Sequence, residues 1–318
     1  MKIVVLDGYT TNPGDKPWDI IEALGETTVY DRTPNDLTLE RSDCADILIT
    51  NKTPLFKETI DKLDDLKFIS VLATGVNNVD LQAAADRGIV VSNVPAYSTA
   101  SVAQYTFAML LELCHHIAHH SEAVYAGRWS AGPYFCFWDT PQIELADKTI
   151  GIVGYGQIGS RVGAIAHAMG MNVIASTRTP KAAPGYEPFE WVCLEELFTR
   201  ADVVSLHCPL TEDNAGFIDK HLLGLMKPTA FLINTARGAI VNEIDLTEAL
   251  NQGKIAGATL DVVSEEPVRP DNPLLKAKNC VITPHIAWAT MAARQRLMQI
   301  TAENVKGFMA GKPVNVVN

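Results

Sequence analysis

The 318-residue chain is 47% hydrophobic and 20% charged, long for one core and suited to two domains of ordinary size. Its net charge of −11 argues against nucleic acid and anionic membrane as partners, since both need a basic surface, while a small anion can still be held by a few local cations. No apolar run approaches the roughly 20 residues that span a bilayer, Met1–Asp7 lacks secretory character, and six scattered cysteines form no C-x-x-C pair, so a reduced, cytoplasmic protein is expected.

In chain order, short β-rich runs alternate with helical segments over the first hundred residues. Strands are expected at Lys2–Leu6, Thr27–Tyr30, Asp46–Thr50, Phe68–Ala73 and Val90–Asn93, with helices such as Trp18–Leu24 and Asp80–Arg87 between them. That rhythm reads as βαβ units on a parallel sheet. Asp80 is the expected N-cap of its helix. Ser98–Ala126 reads as one long helix, apolar on more than one face, and so is expected to bury itself between domains or against a second copy in a homodimer. Within it His115/His119 and His116/His120 stand at i, i+4, yet no glutamate sits between them as in H-E-x-x-H, so a helix face is expected and not a metal site. An aromatic loop, Trp129–Trp138, follows.

The second series of strands is expected at Thr149–Val153, Asn172–Ser176, Val203–His207, Ala230–Asn234, Gly257–Leu260 and Val281–Thr283, and the chain closes on a helix over Met291–Met309. These elements place a nucleotide-binding domain at 98–287, inserted into a domain made of 1–97 and 288–318. The fold class is α/β, with two doubly wound parallel-sheet domains, one Rossmann and one flavodoxin-like.

Behind the first strand of this series, Gly154-Tyr-Gly156-Gln157-Ile158-Gly159 carries G-x-G-x-x-G and opens a helical run. Gly154 permits the tight turn, Gly156 lets backbone approach a pyrophosphate, and Gly159 allows close packing of helix on strand. The pyrophosphate meets free N–H groups at the positive end of the helix. An acidic residue about 20 positions on would accept from the ribose 2′-hydroxyl. The next strand ends instead in Ser176-Thr177-Arg178-Thr179. Hydroxyls beside a guanidinium suit a phosphate dianion, so NADP(H) is expected over NAD(H).

Three further blocks each follow an apolar strand: Ile233-Asn-Thr235-Ala236-Arg237-Gly, Leu260-Asp261-Val-Val-Ser-Glu265-Glu266-Pro, and Thr283-Pro-His285-Ile-Ala-Trp288. Arg237, Glu266 and His285 therefore project from one edge of a sheet, where ligands of such folds sit. With the glycine motif, these blocks resemble the D-isomer-specific 2-hydroxyacid dehydrogenase family over nearly the whole chain. The aromatic loop and the Trp288 stretch are similar to its glycerate dehydrogenase (hydroxypyruvate reductase) branch.

The resemblance implies a catalytic Arg237, Glu266 and His285. Reduction of a 2-keto acid needs a cation for the carboxylate and carbonyl, which an arginine fork supplies. It also needs a proton donor for the oxygen that gains charge, the ordinary work of a histidine, and a paired Glu266 favours the imidazolium. By the same matching, the cofactor meets Gly154–Gly159, Thr177–Thr179, Thr235 and Ala236, with Asp261 on the nicotinamide side and His207, Cys208, Pro209 and Thr211 along the adenosine–pyrophosphate half. The substrate meets Thr74, Gly75 and Val76, Arg237 and His285, and Trp138 reaches a neighbouring subunit's site. The implied reaction reduces hydroxypyruvate and glyoxylate reversibly. A phosphoglycerate or D-lactate type of the same fold, or a dinucleotide-sensing corepressor, is the alternative.

Overall fold

Runs of three to five residues, mostly apolar, form the strands of the chain, and polar turn chemistry ends them. The computed structural model describes residues 1–15, 17–180 and 182–318. They divide into two compact units, Met1–Ser98 with Ala289–Asn318, and Thr99–Trp288.

In the first unit β1 (Lys2–Val5), β2 (Glu26–Val29), β3 (Ile47–Thr50), β4 (Phe68–Val71) and β5 (Val90–Ser92) lie parallel in the order β2-β1-β3-β4-β5, the flavodoxin-like winding. β3 and β4 are buried at every position, as parallel strands covered on both faces are. Between the strands run α1 (Asp19–Glu22), α2 (Thr38–Ser42), α3 (Lys57–Ile60) and α4 (Leu81–Asp86). Asp80 caps α4, its side chain accepting from the Ala83 N–H at 2.9 Å.

The second unit opens with α5 (Thr99–His115), α6 (Ile117–Tyr125) and α7 (Arg128–Ala131). Its strands are β6 (Thr149–Val153), β7 (Asn172–Ser176), β8 (Phe189–Trp191), β9 (Val203–Leu206), β10 (Phe231–Asn234), β11 (Gly257–Leu260) and β12 (Cys280–Ile282), all parallel, in the order β12-β11-β10-β9-β6-β7-β8. This is the doubly wound dinucleotide-fold order, extended by one strand, with its switch point between β6 and β9. Alternation along the strands divides the core into two layers. Leu197 and Phe198 of α9 (Leu194–Arg200), Leu222 of α10 (Lys220–Leu225) and Leu246 of α11 (Glu243–Asn251) pack on the face that carries Ile174, Leu232 and Leu260. Phe107, Leu110 and Leu113 of α5 and Val162 and Ala166 of α8 (Gln157–Ala168) pack on the face that carries Val173, Phe231 and Ile233. The last helix, α12 (Met291–Met309), returns to the first unit and stacks Phe308 on Phe68 with centroids 4.6 Å apart.

Two expectations are corrected. The helix read over Ser98–Ala126 breaks at His116, whose φ of 45° is left-handed. Its first part, α5, carries the buried residues, of which Phe107, Leu110 and Leu113 pack in the core of its own unit; α6 has no buried residue. β8 escapes a reading based on long apolar runs because it is a three-residue edge strand with Glu190 at its centre. Among the described residues no helix is long and apolar enough to cross a membrane.

Candidate active site

β10, β11 and β12 are adjacent and parallel, so the loops after them leave the same edge of the sheet. After β10, the buried side chain of Asn234 donates through Nδ2 to the Arg237 carbonyl at 2.9 Å and accepts from the Ala236 N–H at 3.0 Å. The turn that presents Arg237 is thus made by one asparagine bonding its own neighbours. Arg237 is exposed, and its guanidinium donates to the Ala236 carbonyl at 2.7 Å. Any Cβ on Gly238 would run into the Val263 backbone, so this turn lies directly on the loop after β11.

That loop carries Glu266, and it is tied down from α11. The Glu243 carboxylate accepts from the Ser264 N–H and hydroxyl, at 2.6 and 2.8 Å, and from the Asn272 amide at 2.9 Å. Across the edge, Glu266 Oε2 lies 2.6 Å from His285 Nδ1. The histidine is partly exposed and stands in the left-handed region, at φ 54°, a conformation that a non-glycine residue keeps only when its surroundings impose it.

Those surroundings centre on Asp261, which is only 1% exposed. Its Oδ1 accepts from the Thr283 hydroxyl at 2.6 Å and the Ile286 N–H at 2.9 Å, and its Oδ2 from the Ala287 N–H at 2.8 Å. The His285 N–H donates to the Asp261 carbonyl at 2.8 Å, and the Trp288 indole N–H donates to the His285 carbonyl at 2.8 Å. Burial raises the Asp261 carboxyl above its ordinary value, opposed by the donors from Thr283, Ala287 and Ile286. Its carboxylate oxygens therefore serve the histidine loop. Asn234, Gly238 and Glu243 are contributors to which the sequence assigns no part, and Trp288 enters there only through a resemblance; the signal for Asn234 is an Asx residue at a strand end, and for Gly238 and Glu243 there is none.

Two of the remaining stretches meet at the switch point. Gly154, at φ +90°, donates to the Ser176 carbonyl at 2.8 Å, and a Cβ on it would stand 2.6 Å from the Cys208 nitrogen. The glycine turn after β6 and the His207–Pro209 segment after β9 therefore lie against each other. A Cβ on Gly159 would collide with the Gly154 carbonyl oxygen, whereas one on Gly156 would meet nothing within 4 Å. α8 starts at Gln157 and Ile158 with no side chain capping its first N–H groups, which leaves them for an anion. The residues fit a dinucleotide pyrophosphate. Thr177 is half-buried and Arg178 and Thr179 are exposed at the end of β7. The His207 ring bonds the Ser205 hydroxyl at 2.8 Å, and burial pushes it down to about 3. Thr211 forms a capping box with Asn214, and the Thr235 hydroxyl lies 3.3 Å from that of Thr106 on α5.

Thr74, Gly75 and Val76 belong to the first unit, in the loop after β4, where the Thr74 hydroxyl donates to the Val94 carbonyl at 2.9 Å. Trp138 is 65% exposed. The base of its loop is fastened by Asp139, which accepts from Arg128 at 2.5 Å and pairs with His119 at 2.7 Å. Arg128 and then His119 hold that carboxyl well below the usual carboxylate range. The histidine-rich stretch is thus engaged with this loop: His120 accepts from the Asp139 N–H at 3.1 Å, and His115 bonds Gln142 at 3.2 Å.

The chain is similar to known proteins. Residues 107–287 match the family model described as D-isomer specific 2-hydroxyacid dehydrogenase, NAD binding domain. A hydroxypyruvate reductase of Blautia hydrogenotrophica is 50% identical over the full length of both chains. A glycerate dehydrogenase of Methylorubrum extorquens is 40% identical over 90% of this chain and 89% of its own. Among solved structures, an NADPH-dependent glyoxylate/hydroxypyruvate reductase from Sinorhizobium meliloti superposes with a TM-score of 0.84 at 27% identity, covering 99% of this chain and 97% of that one. The chain belongs to the D-isomer-specific 2-hydroxyacid dehydrogenase family and is an oxidoreductase with a nucleotide-binding domain of the Rossmann type.

Proposed function

We propose that this enzyme reduces hydroxypyruvate to D-glycerate, and glyoxylate to glycolate, reversibly and with NADPH preferred. The observation that carries the reading is the Glu266–His285 pair, 2.6 Å apart at the sheet edge that also presents Arg237. The dinucleotide, when bound, supplies the hydride to the carbonyl carbon. Arg237 binds the carboxylate and carbonyl oxygen as a fixed cation. With Nδ1 engaged by Glu266, His285 has Nε2 left to give the carbonyl oxygen its proton in reduction and to take one from the hydroxyl in oxidation. Gly154–Gly159 hold the pyrophosphate, and the N–H groups of Gly75 and Val76 bind the substrate carboxylate.

Hydroxypyruvate is favoured by the full-length identity to a hydroxypyruvate reductase and by the aromatic loop and Trp288. NADPH is favoured by Thr177 and Arg178 in place of a carboxylate, and by the NADPH dependence of the Sinorhizobium meliloti relative. A panel of 2-keto acids, followed by nicotinamide absorbance, tests the substrate: a higher kcat/KM for pyruvate or phenylpyruvate overturns it. Arg178→Ala tests the cofactor, and should raise the KM for NADPH by about tenfold more than for NADH, as expected on losing one charge-assisted contact. Equal effects would remove Arg178 from 2′-phosphate recognition.

The protein acts as a homodimer in this reading. Beyond α5 the exposed aromatic side chains supply such a surface, with Tyr125 89% and Phe135 88% exposed, together with Ile117, Trp129, Tyr134 and Trp138. Apolar surface of this kind marks an interaction site. Light scattering that finds a monomer at micromolar concentration would end this part of the proposal, and with it the role of Trp138 in a neighbour's site.

A further inference from the structure

The second residue of the glycine motif, Tyr155, is buried, and its phenol meets that of Tyr186 at 2.6 Å. Tyr186 lies on the segment that joins β7 to β8, and it stacks on His167 of α8 with centroids 4.7 Å apart and planes 17° from parallel. Phe189 and Trp191 of β8 pack against the Tyr155 ring at 5.2 and 5.3 Å. Helix α8 makes room for this meeting with Gly163: a Cβ there would stand 2.9 Å from the Tyr155 hydroxyl and closer still to that of Tyr186. Burial raises both phenols above their ordinary values, so each stays a neutral donor and acceptor at working pH.

What the pair can do follows from where its two members sit in the chain. Tyr155 is part of the turn that receives the pyrophosphate. Tyr186 is the first residue after Ser176 at which the outgoing segment is fastened: among the described residues from 177 to 185, none makes a hydrogen bond to the rest of the unit. That segment begins with Thr177, Arg178 and Thr179. We propose that the Tyr155–Tyr186 hydrogen bond is a clasp that fixes this segment against the glycine turn, and that both tyrosines are positioning residues for dinucleotide affinity. The inference rests on the reading of Thr177–Thr179 as the segment that meets the adenosine ribose.

The test is the dissociation constant of NADPH and of NADH, read from nicotinamide fluorescence in Tyr155→Phe, Tyr186→Phe, the double variant and Gly163→Ala. Each phenylalanine keeps its ring and loses only the bond, worth about two- to tenfold in affinity. Both single variants should weaken the preferred dinucleotide by that factor, and the double variant should be no weaker than either, because one bond is shared. Gly163→Ala, which favours the helix but crowds the hydroxyls, should give the same loss. In Tyr186→Phe, which leaves the glycine turn itself untouched, kcat and the KM for hydroxypyruvate at saturating dinucleotide should stay within about twofold. Folded variants with unchanged dissociation constants, whatever their Tm, would reduce the pair to core packing and overturn the proposal. Arg178→Ala separates the two readings: if it weakens NADPH and NADH alike, the 2′-phosphate reading fails, while a loss in the tyrosine variants still upholds the clasp.

Discussion

The two halves of the second unit's sheet present their loops by opposite means. On the β10–β12 side the loops are held by side chains: Asn234, Asp261 and Glu243 each take or give two or more hydrogen bonds to fix a neighbouring backbone. On the β6–β8 side the turn is shaped by side chains that are missing, at Gly154, Gly159 and Gly163, and by rings packed beneath it. The difference matches the chemistry proposed for each half. A proton must pass between two atoms along a set direction, and directional bonds hold a histidine to that geometry. A pyrophosphate needs close backbone approach, which only the absence of Cβ atoms allows.

The largest expected effect tests the directional half. His285→Ala should lower kcat by about a thousandfold, the usual range for removing a positioned acid–base group, with the dissociation constant of the dinucleotide unchanged. A parallel loss of dinucleotide affinity would mean that the two halves are not separable. Asp261→Asn comes next. It leaves the shape but turns one acceptor into a donor facing an N–H, from either Ala287 or Ile286. Breaking such a buried contact costs about 1–3 kcal/mol, seen as a lower urea midpoint, and kcat should fall because His285 loses its imposed left-handed backbone. A variant with normal stability and normal kcat would show that the histidine holds its place without Asp261.

Much of this was legible in the residues. Strands such as β6, β7 and β11 are short apolar runs ended by turn chemistry, and an arginine, a glutamate and a histidine behind three such runs must share an edge if the strands are parallel. The Asp80 cap follows from one side chain's preference for its own helix. What escaped depends on partners distant in sequence. Nothing near Asp261 shows that its oxygens are taken up by residues 283, 286 and 287, and nothing near Glu243 shows that it holds Ser264. The break at His116 hides for a related reason: the helical pattern runs on through it, and the helix ends where its residues leave the core.

The steric half is tested by Gly159→Ala. The added methyl has backbone on one side and the Ile152 side chain on the other, the latter 3.1 Å away, so turn and helix must part. Strain of this kind costs about 1–3 kcal/mol, which is about tenfold or more in dinucleotide affinity. Hydroxypyruvate KM at saturating dinucleotide should move little; if it moves as much as the dinucleotide constant, the turn is shaping the catalytic edge as well.

The smallest effect concerns the residue where the two halves meet. His207 follows β9 at the switch point, and its N–H donates to the Val153 carbonyl at the end of β6 at 2.7 Å. Burial pushes its ring down to about 3, so the folded protein keeps it neutral while the unfolded chain takes up a proton below about pH 6.5. The unfolded state then binds more protons, and stability falls as pH drops through that window. A fully enclosed ring would lose about 1.4 kcal/mol per pH unit, but His207 is partly exposed as a residue, so a loss of under about 1 kcal/mol per unit is expected. Urea titrations at pH 7 and pH 5 read it as a difference: wild type should lose more stability than His207→Gln, since every other titrating group is common to both. Equal losses would place the ring in solvent. The neutral ring also has a consequence for binding. In the proposed reading it can offer the dinucleotide shape and a hydrogen bond but no charge, so the affinity for the dinucleotide should not respond to the titration of His207.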